Sequence, residues 1–383
     1  MAFHLPVIMG LFFICGLSTV MNHLLIPYLQ SVWQMSYTAI MSVQLSFYLG
    51  YFLGSPLTGF LIRGRFIHGM RIGAILGGLG AVMIALSSIQ GSLILTLLSI
   101  FCVGSGIAMI QVCANPYVLQ MRGESDLAIA QSATGIGMLL APLIGARCLL
   151  ANACEDLSIQ SLLPPYMIIG SLWFFLAMML FLLPKTKSEP QKRNPFQFNS
   201  VLILGFLGIA LSVGVETTIA SFIVKYLSDP QILGVSMETA GYLSMLYWFG
   251  LVAGRAIGGV LLLKRDSSSI LRWHAMSGCL FTCLILFTSG FFAAAAILLL
   301  GFSVSMMFPL IFSHVIKNSG ENAGQASGIL CMANIGGAAI PFIQGIIADT
   351  ATLHISFIIP FLCYFLLYQL GVQEYQKRAV NTI

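Results

Sequence analysis

The chain is a succession of apolar stretches separated by short polar segments. Most stretches run for roughly 20 residues, the length of an α-helix that crosses a hydrocarbon core of about 30 Å. The pattern predicts twelve membrane-spanning helices, near residues 5–26, 38–62, 72–90, 93–119, 127–150, 161–183, 200–227, 237–263, 268–289, 291–316, 324–348 and 353–372. A longer polar segment divides them, so we predict an all-α membrane protein with an N-terminal six-helix half (1–183), a basic linker (184–199) and a C-terminal six-helix half (200–383).

Composition agrees with this pattern, since 58% of the residues are hydrophobic and only 8% are charged. These values lie far outside the range of soluble globular domains. The first apolar run begins at Leu5 with no basic segment before it and no small-residue cleavage site after it, so it is interpreted as a retained helix rather than a signal peptide. The lipid bilayer is therefore the expected surrounding of the chain.

Basic residues indicate how the helices are oriented. With the N-terminus in the cytoplasm, all of the 17 Lys and Arg residues except Arg147 and Lys225 fall on the cytoplasmic side. The positive-inside rule then places both termini in the cytoplasm and explains the net charge of +5 without nucleic acid as a partner. We expect a monomer in a bacterial inner membrane.

Arginine and lysine also recur in corresponding loops of the two halves. Arg63 to Arg71 separate the second and third predicted spans, and Lys264 to Arg272 separate the eighth and ninth. A parallel repeat of six helices would produce this recurrence. Six spans, a basic loop and six more spans are typical of a secondary transporter.

Polar side chains within the predicted spans are the candidate binding residues, because burial in a membrane costs free energy unless they face a partner or a water-filled cavity. Gln111, Asn115 and Pro116 carry the most weight, since the two amides lie on one helical face beside a carbonyl that proline leaves free. Amides donate and accept, which suits a polyhydroxylated solute. The substrate-binding candidates are Asn22, Gln44, Gln111, Asn115, Gln131, Tyr247, Trp248, Asn334 and Gln344.

Two titratable residues at membrane depth are the candidates for proton coupling. Glu216 is the one carboxylate well inside a predicted span, and it could serve as a proton-linked gate or as a member of a structural ion pair. His23 lies in the first span, and histidine changes charge near neutral pH. A hydrogen-bonded structural role for His23 is the competing interpretation.

Other chemistry finds no support in the pattern. The sequence contains no GxxxxGK[ST] phosphate-binding loop, no CxxC metal spacing and no Ser/His/Asp set or carboxylate pair at membrane depth. We therefore predict neither an enzyme nor a protein with a metal or cofactor, and ATP-driven transport is disfavoured.

Six segments, spread over both halves in order, carry a resemblance to a known family. They are NHLLIPYLQ (22–30), IQVCANPYV (110–118), GVETTIASFIVKYL (214–227), YWFGLVAGRAIGG (247–259), MFPLIFS (307–313) and SGILCMANIGGAAIPFIQGIIAD (327–349). With these segments the chain resembles the fucose, galactose and glucose proton symporters of the major facilitator superfamily, and the bacterial glucose/galactose branch in particular. The resemblance implies twelve helices, a central cavity between the halves and alternating access with one solute bound near the midplane.

The chain departs from this family at several polar positions. Fucose permeases carry a coupling aspartate around His23 and a glutamate where Gln111 stands, and family asparagines are replaced at Thr134 and Val304. Three alternatives follow: His23 takes over proton coupling, the protein is a uniporter, or the solute is less polar than a hexose. We favour symport of a small sugar-like solute, with the proton as the coupling ion and sodium as the alternative.

Two further functions compete with sugar symport. The 19 methionines and 27 phenylalanines could line an adaptable pocket for an exported amphipathic metabolite, siderophore or drug, although such residues are also ordinary packing residues. A solute sensor that does not transport is the third alternative, and the short termini argue against it.

Overall fold

The structure is a computed structural model that describes residues 4–62, 65–122, 124–150, 159–182, 200–319 and 323–381. Every regular element within these ranges is helical, which confirms the all-α prediction. The first group of helices, before the segment 183–199, comprises α1 (His4–Trp33), α2 (Tyr37–Ile40), α3 (Ser42–Ile62), α4 (Phe66–Gln90), α5 (Leu93–Arg122), α6 (Glu124–Gly145) and α7 (Leu163–Phe181), with a π-helical turn at Ala146–Leu150 and a 3-10 turn at Ile159–Leu162.

The second group follows that segment and is also wholly helical as described. It comprises α8 (Ser200–Ser228), α9 (Met237–Leu261), α10 (Ser267–Phe287), α11 (Gly290–Val304), α12 (Met307–Lys317), α13 (Ala323–Met332), α14 (Gly336–Thr350) and α15 (Ile358–Asn381), with 3-10 turns at Ala333–Ile335 and Ile355–Phe357. The predicted linker, residues 184–199, lies outside the described residues.

Ten of the described helical segments are long and apolar enough to cross a membrane, and Ile355–Gly371 is a shorter apolar segment. Large apolar side chains such as Leu280, Phe287 and Phe291 stay exposed on these helices, as expected of surfaces that face lipid rather than water. The chain is thus a multi-pass membrane protein. The count of twelve spans stays a prediction.

Several helices begin at a residue that caps them in the way their sequence predicts. Ser36 caps α2 and Ser236 caps α9, each accepting a hydrogen bond from a backbone N–H three residues on. Asp266 caps α10 between two membrane segments, and its carboxylate accepts hydrogen bonds from Ser268 and Ser269. Burial acts to raise the pKa of the Asp266 carboxyl, but these hydrogen bonds outweigh burial and hold the pKa below its ordinary value.

Proline breaks the predicted tenth span into α11 and α12. Pro309 has no N–H to bond the carbonyl of Ser305, four residues earlier, and the helix is interrupted at Ser305 and Met306. Arg255 on α9 occupies the free acceptor, since its Nε lies 3.4 Å from the Ser305 carbonyl oxygen. The break therefore also fixes the position of a guanidinium inside the helix bundle.

The predicted eleventh span is interrupted before its proline rather than at it. Pro341 lies inside α14, whereas the 3-10 turn that separates α13 from α14 covers Ala333–Ile335. Asn334 sits in this turn, and its side-chain amide donates to the carbonyl oxygen of Cys331 at 2.9 Å. An amide that bonds its own preceding turn competes with the regular helical pattern, which is a physical reason for a break here.

Close glycine contacts recur at corresponding helix pairs of the two groups. Gly104 on α5 packs directly against the backbone of Phe47 on α3, and Gly301 on α11 packs in the same way against the backbone of Tyr247 on α9. A Cβ at either glycine would overlap the neighbouring main chain, so only glycine fits. The second and fourth helices of one predicted repeat therefore meet as their counterparts do in the other.

The two groups of helices touch each other along two lines. In the first, α1 packs against α8, and α2 and α3 pack against α14. In the second, α6 and the π-helical turn pack against α9. The polar residues predicted for the site concentrate on the first line.

Candidate functional site

A hydrogen-bonded network joins the two groups of helices at Gln44. This buried residue of α3 accepts from Asn22 Nδ2 through its Oε1 at 3.1 Å. Its Nε2 lies 3.0 Å from Ser221 Oγ on α8 and 2.8 Å from His23 Nδ1 on α1. One amide thus links two helices of the first group to a helix of the second.

The network assigns donor and acceptor roles to His23. Both protons of the Gln44 amide nitrogen are used, one toward Ser221 and one toward His23 Nδ1, so Nδ1 accepts. The imidazole is then neutral, with its proton on Nε2. His23 is 2% exposed, and its ring stacks on Trp248 of α9 with 5.9 Å between centroids and 21° between planes. His23 therefore contacts both groups of helices.

A second polar contact crosses the same line one helical turn farther along. Tyr48 lies four residues after Gln44 on α3, and its hydroxyl is 2.7 Å from Thr217 Oγ1 on α8. Thr217 lies four residues before Ser221, so two residues on one helical face meet two residues on the other. Gly337 on α14 gives the Tyr48 ring its space, because a Cβ there would lie 2.8 Å from Thr217 Oγ1 and against the ring itself.

Glu216 lies beside this contact, on α8. The hydroxyl of Tyr247 donates to the backbone carbonyl oxygen of Glu216 at 3.4 Å, and Tyr247 packs edge-on to Trp248. Arg255, two turns along α9, is close enough to interact electrostatically with the Glu216 carboxylate. Within the described residues the carboxylate oxygens have no hydrogen-bond partner, so they are available to a proton or to a solute hydroxyl.

A further set of contacts joins helix ends on the side of the network where α1, α8 and α14 end. The two carboxylate oxygens of Asp349, at the end of α14, accept from the backbone N–H groups of Tyr37 and Thr38 at 2.7 Å each. Lys225 Nζ on α8 donates to Ser31 Oγ on α1 at 2.8 Å. These bonds hold the α1–α3 connection against the second group of helices at this end of the bundle.

The other predicted binding residues are distributed more widely. Gln111 and Asn115 are half-buried one turn apart on α5. Gln344 Nε2 donates to Ser356 Oγ at 2.9 Å, and Asn334 bonds its own helix, so both amides have local partners in the second group. The side chain of Gln131 lies outside the described residues. Of the predicted set, the network brings together Asn22, His23, Gln44 and Trp248, with Tyr247 and Glu216 adjacent.

Three residues of the network escaped the sequence analysis. Tyr48, Thr217 and Ser221 carry hydroxyl groups that are common in apolar helices, and Ser221 also donates to the Thr217 carbonyl of its own helix at 2.6 Å. The four-residue spacing from Gln44 to Tyr48 was the one signal available, because it places both side chains on the same face of α3.

Apolar helices around a polar network at membrane depth are typical of a multi-pass membrane transporter. Comparison with known families makes the assignment specific: residues 8–341 match the Major Facilitator Superfamily. The chain belongs to this superfamily.

Relatives with assigned names are sugar transporters. The chain is 32% identical over 370 residues to a glucose/galactose transporter of Brucella abortus, covering 92% of this chain and 90% of that protein. It is 25% identical over 394 residues to the L-fucose-proton symporter of Escherichia coli, covering 93% and 89%. The resemblance to the fucose, galactose and glucose symporters is thereby confirmed.

Solved structures agree on the fold. The crystal structure of the E. coli fucose:proton symporter superimposes with a TM-score of 0.73 at 22% identity, covering 97% of this chain and 98% of that one. A partially occluded, inward-open structure of the E. coli xylose transporter gives a TM-score of 0.74 at 12% identity, covering 96% and 98%. At these identities the likeness establishes the fold alone.

Proposed function

We propose that the protein moves a small sugar-like solute, a hexose or deoxyhexose, across the bacterial inner membrane by proton-coupled alternating access. The network of Asn22, His23, Gln44 and Ser221 carries this proposal, because it places sugar-compatible groups and a titratable side chain at the contact between the two groups of helices. The names of the glucose/galactose and fucose-proton relatives support the substrate class.

The proposed arrangement is that of two six-helix halves, residues 1–183 and 200–383, joined by the basic segment 184–199, with twelve spans and both termini in the cytoplasm. The recurrence of the Gly104–Phe47 contact as Gly301–Tyr247 supports a repeat of six helices. In this orientation the Asp349 contacts lie on the outer side of the membrane, and the described state is closed to that side. The transporter works as a monomer.

Solute binding would exchange protein–protein hydrogen bonds for protein–solute ones. The Gln44 amide and the Tyr48, Thr217 and Ser221 hydroxyls can all donate and accept, as sugar hydroxyls do. When the helices separate on the outer side, the bonds from Gln44 to Ser221 and from Tyr48 to Thr217 break. A sugar that satisfies the freed groups would bind the open state preferentially, and a ligand shifts an equilibrium only through such a difference in affinity.

Proton coupling would act through His23 on the same contact. In the described arrangement the Gln44 amide nitrogen donates to Nδ1. Protonation adds an N–H at Nδ1, so two hydrogen-bond donors, this N–H and the Gln44 amide nitrogen, would face each other. The Gln44 amide must then rotate to present its oxygen to His23. This rotation removes the hydrogen bond that Gln44 donates to Ser221. A proton on His23 thus destabilises the closed outer side. Glu216, whose carboxylate has no described hydrogen-bond partner, is the second candidate for coupling.

Uptake measurements test this proposal. Radiolabelled glucose, galactose and fucose are offered to cells that lack their own sugar permeases, with and without a protonophore. We expect uptake of at least one sugar that the protonophore abolishes, and we expect His23→Ala to lose accumulation against a gradient. His274→Ala is the matched control, since His274 is a buried histidine of α10 that bonds the Phe302 carbonyl away from the network.

Each outcome distinguishes the alternatives. Uptake that ignores the protonophore indicates a uniporter and contradicts the coupling role of His23. No uptake by protein that is shown to be inserted contradicts the sugar proposal. Secretion of a compound that stops on deletion of the protein would indicate export instead.

A further inference from the structure

A small cavity lies on the far side of Asn22 from Gln44, between α1, α4, α5 and α7. Its lining includes Ser18, Asn22, Ile84, Ile100 and Tyr166. The cavity has a volume of about 10 Å³, which is room for one water molecule. It belongs wholly to the first group of helices and lies behind the contact between the groups.

Two buried polar atoms that face this cavity have no partner among the described residues. Asn22 Oδ1 is an acceptor without a donor, and the Tyr166 hydroxyl is a donor without an acceptor. Both residues are 4% exposed. A third polar atom, Ser18 Oγ, accepts from Trp173 Nε1 at 3.1 Å and can form one more bond. Buried polar groups in proteins are nearly always hydrogen-bonded, and the complementary pair here requires an intermediary that both donates and accepts.

We propose that this cavity binds one water molecule, which accepts from the Tyr166 hydroxyl and donates to Asn22 Oδ1. The remaining donor of the water is available to Ser18 Oγ. Water fits because it supplies both roles and the cavity has room for it.

The water controls the direction of the amide chain that ends at His23. In the described arrangement Asn22 Nδ2 donates to Gln44, and Gln44 Nε2 donates to His23 Nδ1. With Asn22 Oδ1 held by a donor from the cavity, the Asn22 amide keeps its nitrogen toward Gln44. Tyr166 is therefore a positioning residue that acts on His23 through the water and two amides.

The same site lets the chain reverse, and this step rests on the proposed role of His23. When His23 gains a proton at Nδ1, it donates to Gln44 Oε1, Gln44 Nε2 donates to Asn22 Oδ1, and Asn22 Nδ2 points into the cavity. Water accepts that bond, so no buried atom is left unpaired. The groups described against His23 are the neutral Gln44 and Trp248.

Charged side chains on the helices that pack against α1 set the surrounding field. Lys225 on α8 donates a hydrogen bond to Ser31, and Glu216 on α8 interacts electrostatically with Arg255 of α9. Neither hydrogen-bonds to His23 among the described residues, so the amide chain is its direct control.

Tyr166→Phe tests the site, because it removes the hydroxyl and keeps the ring. Ser55→Ala is the control for loss of a buried hydroxyl, since the Ser55 hydroxyl is likewise buried and without a described partner but lies on α3, about three turns beyond Gln44. High-resolution structures of the wild type and both variants are compared for a density peak between residues 22 and 166. Sugar uptake is measured in parallel as a function of pH.

We expect a water peak in the wild type and in Ser55→Ala and its loss in Tyr166→Phe. We also expect Tyr166→Phe to reduce uptake about fivefold, the effect of one hydrogen bond, with a displaced pH profile, while Ser55→Ala stays within about twofold. A wild-type structure without the peak, or a Tyr166→Phe uptake profile that superimposes on that of the wild type, overturns the proposal.

Two further outcomes separate this site from its alternatives. Sodium-dependent uptake, with a sodium-induced thermal shift that Tyr166→Phe removes, would identify a cation site and contradict the water. A water peak in a protein without proton-coupled sugar uptake would leave the water site standing and refute only the transport function.

Discussion

The two lines along which the groups of helices meet differ in chemistry. The polar seam, formed by Gln44 and Tyr48 against Thr217 and Ser221, is held by hydrogen bonds between side chains. The apolar seam, formed by α6 and the π-helical turn against α9, is lined by small and aliphatic residues, with Gly135 against Val252 and Gly241 against Ala146 and Leu150. An exposed ion pair between Arg147 and Glu238, at 4.0 Å, lies at its edge.

This difference indicates that the two seams have different roles in the conformational change. Hydrogen bonds are directional, so the polar seam has one register and can be switched by any event that exchanges a donor for an acceptor. Dispersion contacts are weak individually and tolerate sliding, so the apolar seam can keep the helices together while the polar seam opens. The predictions below test whether the two seams respond to substitution in this way.

The largest effect is expected from Gln44→Leu in the polar seam. Leucine cannot bond with Asn22, His23 or Ser221, and leaving buried polar groups unpaired costs about 1–3 kcal/mol for each. We expect uptake to fall at least tenfold and the thermal midpoint to drop.

The matched control for Gln44→Leu is Thr58→Val, because Thr58 is a buried residue of the same helix that bonds only its own turn, at Gly54. Thr58→Val should retain most of the wild-type uptake. A Gln44→Leu variant with more than half of the wild-type uptake would show that the polar seam is not required.

An intermediate effect is expected from Asp349→Asn at the end of α14. The Asp349 carboxylate accepts from two backbone N–H groups, and asparagine keeps one acceptor while presenting a donor to the other N–H. Losing such a cap costs roughly 0.5–2 kcal/mol. We expect hydrogen exchange of the peptide covering residues 34–41 to accelerate about tenfold.

Asp266→Asn provides the comparison, since the Asp266 carboxylate caps a different helix, α10, by accepting from the Ser269 N–H. Its substitution should leave exchange at residues 34–41 unchanged. Equal exchange in the wild type and Asp349→Asn would mean that this cap does not hold the outer side closed.

The smallest effect is expected from Gly135→Ala in the apolar seam. The added Cβ would meet Val252 Cγ2 at 3.2 Å, and a single methyl group can give way by a few tenths of an ångström. We expect initial rates of uptake within about twofold of the wild type. A tenfold loss would show that the apolar seam also has one fixed register, and the contrast between the seams would then be lost.

The helices were predictable from sequence because membrane spans require long apolar runs, and the polar residues at depth pointed to Asn22, His23 and Gln44. Their partners were not predictable. Ser221 and Thr217 carry hydroxyl groups that can bond their own helix, so nothing in the sequence distinguishes a hydroxyl that reaches across from one that does not.

Local partners account for the amides that the sequence analysis weighted equally with Gln44. Gln344 bonds Ser356, and Asn334 bonds the turn that it interrupts. The sequence pattern gives the depth of a side chain in the membrane but not the helix that faces it, because tertiary packing decides that. The break before α14 likewise follows Asn334 rather than Pro341.

Sugar-driven proton movement in proteoliposomes tests the central claim most directly. Purified protein is reconstituted without a pH gradient, the transported sugar is added outside, and the external pH is recorded. The account predicts alkalinisation that accompanies sugar entry in the wild type and disappears in His23→Ala while downhill sugar exchange continues. Sugar entry by the wild type with no change in external pH would contradict it.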